Sequence, residues 1–122
     1  MKKRILMSVF AATAACAVST AYADAPKASN GMYVDSKGMT LYTFDKDSAG
    51  GPSACTGGCA EAWPAAMASG SDQPSGKWTT VDASGGKQWA YDGKRVYTFK
   101  KDTKAGDMNG DNFKNMWHVV KP

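Results

Sequence analysis

One histidine and one glutamate in 122 residues leave little material for acid–base catalysis. The sequence also lacks a Gly-x-Ser-x-Gly elbow, a phosphate-binding glycine loop, a His-Glu-x-x-His pair and a haem-attaching Cys-x-x-Cys-His, so the common motif-bearing enzyme classes have no foothold. Long stretches with apolar residues at helical spacing are missing, which argues against a helical domain. No apolar run reaches the roughly twenty residues that a membrane-spanning helix needs. Cysteine is sparse, with Cys16, Cys55 and Cys59 as the full set.

The longest uncharged run, residues 5–18, follows Lys2, Lys3 and Arg4 and precedes Ser19-Thr20-Ala21-Tyr22-Ala23. A basic start, a short apolar middle and small residues at alternate positions before a cut have the layout of a secretory signal. Residues 1–23 are therefore expected to be a leader cleaved between Ala23 and Asp24. A rival cut falls before Cys16, which would then be acylated, but Thr13 stands where a lipoprotein signal carries an aliphatic residue. Membrane contact is expected only in that lipidated form. The mature chain would be periplasmic or secreted.

Three of the fifteen basic residues lie in the leader and none of the eleven acidic ones do, which leaves a mature net charge of +1. The remaining basic residues are interleaved with acids, so the footprint of a nucleic-acid binder is absent.

What the chain does have is glycine and aromatics. All thirteen glycines and all four tryptophans lie after residue 23, among short β-branched and aromatic runs separated by Gly, Asp, Asn and Ser. That pattern predicts strands and tight turns. Strands are expected over 32–34 and 39–44 around the turn Asp35-Ser36-Lys37-Gly38. Further strands are expected over 77–81 and 88–91 around a Ser-Gly-Gly loop, over 95–99 after the hairpin signal Asp92-Gly93, and over 116–120. The one helical candidate is a single turn at 59–63, stopped by Pro64. Residues 24–30 read as a flexible arm and 68–76 as a linker rich in small and polar residues.

The two halves repeat each other. Leu41-Tyr42-Thr43-Phe44-Asp45-Lys46-Asp47 matches Val96-Tyr97-Thr98-Phe99-Lys100-Lys101-Asp102 at an offset of 55, and Trp63 matches Trp117 at 54. One copy could not bury its apolar face alone, so two copies are expected to pack about a pseudo-two-fold axis, as repeats of about 31–67 and 77–120. Within each copy the strand period puts Tyr and Phe on one face, and Leu41 or Val96 with the intervening Thr on the other. Two readings of the motif stand side by side. Tyr42, Phe44, Tyr97 and Phe99 are core aromatics while Asp47 and Asp102 cap turns. Alternatively, the tyrosines and carboxylates meet at the seam as a ligand site, or as the paired carboxylates of a hydrolase.

The doubled Tyr-x-Phe-x-x-Asp, Cys55-x-x-x-Cys59 followed by Ala60-Glu61-Ala62-Trp63-Pro64, and a closing segment from Gly106-Asp107 to Trp117-His118-Val119-Val120 together resemble the bacterial secreted-repeat family. That family comprises predicted lipoproteins with a Tyr-x-aromatic-x-x-Asp motif. The resemblance covers about residues 31–120 and implies an exported repeat protein, without implying a mechanism.

Without Cys16 the mature chain keeps Cys55 and Cys59, an even count in an oxidising compartment, which favours a disulfide between them. The sharper alternative is copper or thiol-redox chemistry at Cys55, Cys59 and His118, with methionines as further soft ligands. Asp107-Met108-Asn109-Gly110-Asp111 has oxygen ligands at alternate positions, but the glycine spacing and the missing distal glutamate favour a turn over a calcium loop. The sequence thus predicts a small all-β domain of two pseudo-symmetric hairpin repeats with at most one short helical turn. It is expected to be a non-catalytic binding or envelope-associated protein without a cofactor, with a copper or redox protein as the alternative.

Overall fold

Two dipeptides set the local geometry of the halves. In the computed structural model, Asn30-Gly31 and Asp92-Gly93 have positive φ at both residues (53° and 80°, 52° and 87°), the geometry that joins twisted antiparallel strands through two residues. The structure describes residues 25–69 and 74–122. The expected leader, the junction of Ala23 with Asp24, and Cys16 lie outside the described residues.

The first turn joins β1 (Lys27–Ser29) to β2 (Met32–Val34), and β3 (Tyr42–Phe44) follows. A single helix, α1 (Gly58–Ala62), and β4 (Met67–Ala68) complete the first half. The second half contains β5 (Trp78–Ala83), β6 (Gly86–Tyr91), β7 (Lys94–Tyr97), a 3₁₀ turn at Phe113–Asn115 and β8 (Trp117–Val119). The chain is therefore all-β in character, with eight strands among the described residues. β1 and β2 form a hairpin. The others form one open antiparallel sheet in the order β4-β6-β7-β3-β8, with β5 on the other edge of β6.

The register exposes the duplication. Tyr42 pairs with its own equivalent, Tyr97, so the pseudo-two-fold axis passes between β3 and β7. Bonds on either side repeat across it. Asp45 N donates to Met116 O at 2.8 Å and Lys100 N to Ala62 O at 2.9 Å, while Val120 N donates to Leu41 O at 2.9 Å and Ala66 N to Val96 O at 3.1 Å.

Strand alternation divides the interior into two cores. Tyr42, Phe44, Tyr97 and Phe99 join Trp63, Trp117 and Cys55 on one face. Leu41 and Val96 join Trp78, Trp89 and Val120 on the other.

Three local expectations need adjustment. The arm expected over 24–30 holds β1, paired from Lys27 with Val34 to Ser29 with Met32, and Ala25 is buried. Its Pro, Lys, Ala and Ser carry no strand propensity, so the tight turn and backbone pairing place it rather than side-chain burial. The strand expected to start at 39 starts at Tyr42, because the Asp35 carboxylate accepts N–H bonds from Lys37 and Met39 (2.8 and 2.9 Å) and prolongs the turn. The helical turn expected over 59–63 lies one residue earlier, and the 3₁₀ turn is additional.

Candidate functional site

The duplicated motif is crossed. Tyr42 Oη donates to Asp102 Oδ2 at 2.6 Å, and Tyr97 Oη donates to Asp47 Oδ2 at 2.5 Å, so each tyrosine is held by the aspartate of the other repeat. The second oxygen of each carboxylate serves its own loop: Asp47 Oδ1 accepts from Ala54 N (2.6 Å) and Asp102 Oδ1 from Asn109 N (2.9 Å). Both aspartates are only 5–6% exposed. The aspartates bond turn backbone, as the capping reading expects, and each also bonds the tyrosine of the other repeat.

The tyrosine hydroxyls have further partners, Gly110 N for Tyr42 (3.2 Å) and Ser53 Oγ for Tyr97 (2.7 Å). Burial, reinforced by the hydrogen bond to Asp47, pushes the Tyr97 hydroxyl up to about 12. Burial and Asp102 push the Tyr42 hydroxyl higher still. A phenol locked against a carboxylate in this way stays neutral across the physiological range, and its hydrogen bond strengthens in a low-dielectric interior.

Behind the tyrosines four rings stack in the order Phe44, Trp117, Trp63, Phe99. The central tryptophans are 3.8 Å apart and 1° from parallel, with the phenylalanines at 4.2 and 3.9 Å. Each tyrosine meets the tryptophan of its own copy edge-on at 5.3 Å. Gly110 is fixed by this stack, since a Cβ there would lie 2.5 Å from Trp63 Cη2. Trp63 and Trp117 are each delivered by a loop, and the loops differ. Cys55 and Cys59 form a disulfide in the first, with Cα atoms 5.2 Å apart.

The pseudo-symmetry breaks at residue 95. Its equivalent in the first copy is Thr40, 1% exposed, whose hydroxyl donates to Asp107 O at 2.5 Å. In the second copy Arg95 also bonds a carbonyl of the loop after the other repeat's motif, Nε to Gly51 O at 3.1 Å, and extends beyond it. Its Nη1 donates to Asp82 O and to Gln88 Oε1, both at 2.9 Å. Gln88 is 1% exposed and anchored in turn through Nε2 to Val96 O at 2.9 Å. Beside this bracket opens a cleft of about 620 Å³ between the disulfide loop and the β5–β6 turn, within the size range of small-molecule sites. Ser53, Cys55, Thr56 and Gly57 line one wall, Asp82, Ala83 and Ser84 another, and Trp63, Gln88, Arg95 and Tyr97 the base and sides. A wider depression of about 850 Å³ lies around Tyr33, Trp78 and Tyr91.

Other sequence candidates are dispersed. His118 is half exposed on β8, facing away from buried Trp117, and its Nε2 lies 2.9 Å from Asp45 Oδ2. It does not join the disulfide. Among the described residues no group of three or more His, Cys, Asp or Glu side chains is placed to hold a metal ion. Asp107 and Asp111 turn to local backbone, Thr103 N (3.0 Å) and Val119 N (3.2 Å). Arg95, Gln88 and Ser53 were not singled out by sequence motifs, although position-by-position comparison of the copies sets Arg95 against Thr40.

A family model described as a secreted repeat of unknown function matches residues 27–67 and again 76–121. The chain belongs to this secreted-repeat family. The first match spans β1 to β4 and the second β5 to β8, so each unit of the secreted repeat contributes one Tyr, one Asp and one Trp to the crossed seam. No curated protein and no solved structure matches the chain. The family is described as secreted, and among the described residues no helix is long and apolar enough to cross a membrane.

Proposed function

We propose that this secreted repeat is a non-catalytic binding protein of the periplasm or extracellular space, in which the crossed motif clasps the repeats together and the cleft at Arg95 receives a small ligand. One observation carries this reading. The polar atoms of the repeated motif are directed at one another inside the core, whereas the single-copy residue Arg95 is braced by buried Gln88 at the edge of a cleft. A rigid side chain held before the ligand arrives lowers the ordering cost of binding.

The test is a fragment screen on the exported protein, followed by amide-resolved NMR and assayed in parallel for product formation. Fragments are expected to perturb Ser53, Thr56, Ala83 and Arg95 and to be recovered unchanged. Chemical conversion of a fragment, or perturbations confined to the remote β1–β2 hairpin, would overturn the reading. Two titratable thiols with stoichiometric copper that is lost on Cys55→Ser would replace it with the copper-binding alternative.

A further inference from the structure

We propose that the Arg95 cleft selects a small monocarboxylate with a short apolar body. This rests on the binding reading above and names the ligand chemistry of the same site.

The charge comes first. An arginine presents five N–H donors and remains protonated at all ordinary pH values. Three of the five are taken here, Nε–H by Gly51 O and both Nη1 hydrogens by Asp82 O and Gln88 Oε1. All three acceptors are neutral. No carboxylate among the described residues is in ion-pair contact with the guanidinium, and the nearby Asp82 carboxylate turns outward to Lys87 Nζ at 2.5 Å. The positive charge is thus fixed in orientation; the Asp82 carboxylate feels it across space but bonds to Lys87, so no carboxylate is bonded to the guanidinium itself. No described residue accepts from the two N–H groups of Nη2, which keep donors for an incoming anion.

The rest of the cleft decides which anion. Among the lining residues Arg95 is the one cation and Asp82 the one carboxylate; because Asp82 is paired with Lys87, the guanidinium is left to match a single negative charge rather than a phosphate dianion. Around it stand the buried disulfide sulfur of Cys55, the edge of Trp63, and Ala60, Ala65 and Ala83, which suit a short aliphatic body. Charge-assisted bonding at one end and apolar contact at the other is the chemistry of a small carboxylic acid. The counterpart in the first copy cannot do the same, because Thr40 has no charge and is sealed against Asp107. One site per chain follows.

The probes are hexanoate, its neutral isostere hexanamide, and inorganic phosphate, each titrated into the exported protein and followed by amide-resolved NMR. Hexanoate is expected to move the signals of Ser53, Thr56, Ala83 and Arg95 saturably. Hexanamide should bind at least tenfold more weakly, and Arg95→Gln should weaken hexanoate by a similar factor while leaving signals of the β1–β2 hairpin unmoved. Phosphate should leave the cleft signals in place. Equal binding of hexanoate and hexanamide would overturn the carboxylate assignment while leaving the binding reading intact, and this comparison on the unaltered protein holds even if the variant folds poorly. Tighter binding of phosphate than of hexanoate would overturn the choice of anion. If none of the probes moves the cleft, the assignment fails, and the fragment screen then judges the broader reading separately.

Discussion

The two copies deliver a tryptophan to the same stack by different means. Positions eight residues after each motif aspartate are Cys55 and Gly110, and positions four residues before each tryptophan are Cys59 and Phe113. In the first copy those positions are bonded to each other, and α1 leads from the disulfide to Trp63. In the second, glycine makes room for the ring of Trp63, and Phe113 packs on Trp63 and Phe99 at 5.7 and 5.5 Å. Asn112, Lys114 and Asn115 then take left-handed backbone (φ 62°, 51° and 56°) to turn the chain into β8. Duplicated architecture therefore constrains the clasp and the rings, while the connecting loops vary. The cleft sits where the first loop faces the second copy's strands.

The largest effect should come from breaking what the copies share. Trp63→Ala and Trp117→Ala each remove a central ring of the stack and should cost about 3–5 kcal/mol, measured by urea denaturation. Similar losses at both positions would support the pseudo-symmetric stack, and a much smaller loss at one would break it.

Alkaline pH probes the shared tyrosines. An unfolded tyrosine loses its proton near pH 10, whereas folded Tyr97 keeps it to about 12. Between those values the native state binds more protons than the unfolded state, so stability must fall as pH rises. The expected slope is roughly 1.4 kcal/mol per pH unit for each tyrosine still protonated in the fold. Below pH 10 this contribution is fully present and flat. Tyr97→Phe should reduce the slope above pH 10 in denaturation curves taken at a series of pH values.

The next comparison isolates the first loop. Replacing both Cys55 and Cys59 with alanine removes a five-residue closed loop and should cost roughly 2 kcal/mol in the chain-entropy model. Amide exchange should accelerate in residues 53–63 more than in 108–117, since the second loop has no such link.

The smallest effect is expected where the copies differ at position 95. Arg95→Thr installs the residue of the first copy and should cost about 1 kcal/mol, because buried Gln88 Oε1 loses its donor. A loss above about 2 kcal/mol would make Arg95 a structural brace instead.

Much of the fold is legible in the local sequence. Alternation of Tyr42 and Phe44 with Leu41, and of Tyr97 and Phe99 with Val96, separates the two cores correctly because strand period alone decides the face. The Asp-Gly hairpin and the stop at Pro64 are equally local. β1 escaped because its residues carry little strand propensity, and it is held by pairing to Met32–Val34. Crossing is less legible: the partner of each tyrosine lies 60 or 50 positions away in the other copy, and spacing within one motif suggests only the local backbone cap. Arg95 was hidden for a different reason. A lone arginine among scattered charges has no motif, and its meaning comes from buried Gln88 and from Gly51 O, a carbonyl 44 positions earlier.

The crossed clasp is the central claim, and a pair of double-mutant cycles tests it most directly. Urea denaturation of Tyr42→Phe and Asp102→Asn, singly and together, should give a coupling of roughly 1–3 kcal/mol, because a buried charge-assisted bond joins them. The same cycle with Tyr42→Phe and Asp47→Asn, which lie in one repeat, should be additive to within about 0.5 kcal/mol. Coupling within the repeat and additivity across it would contradict the account.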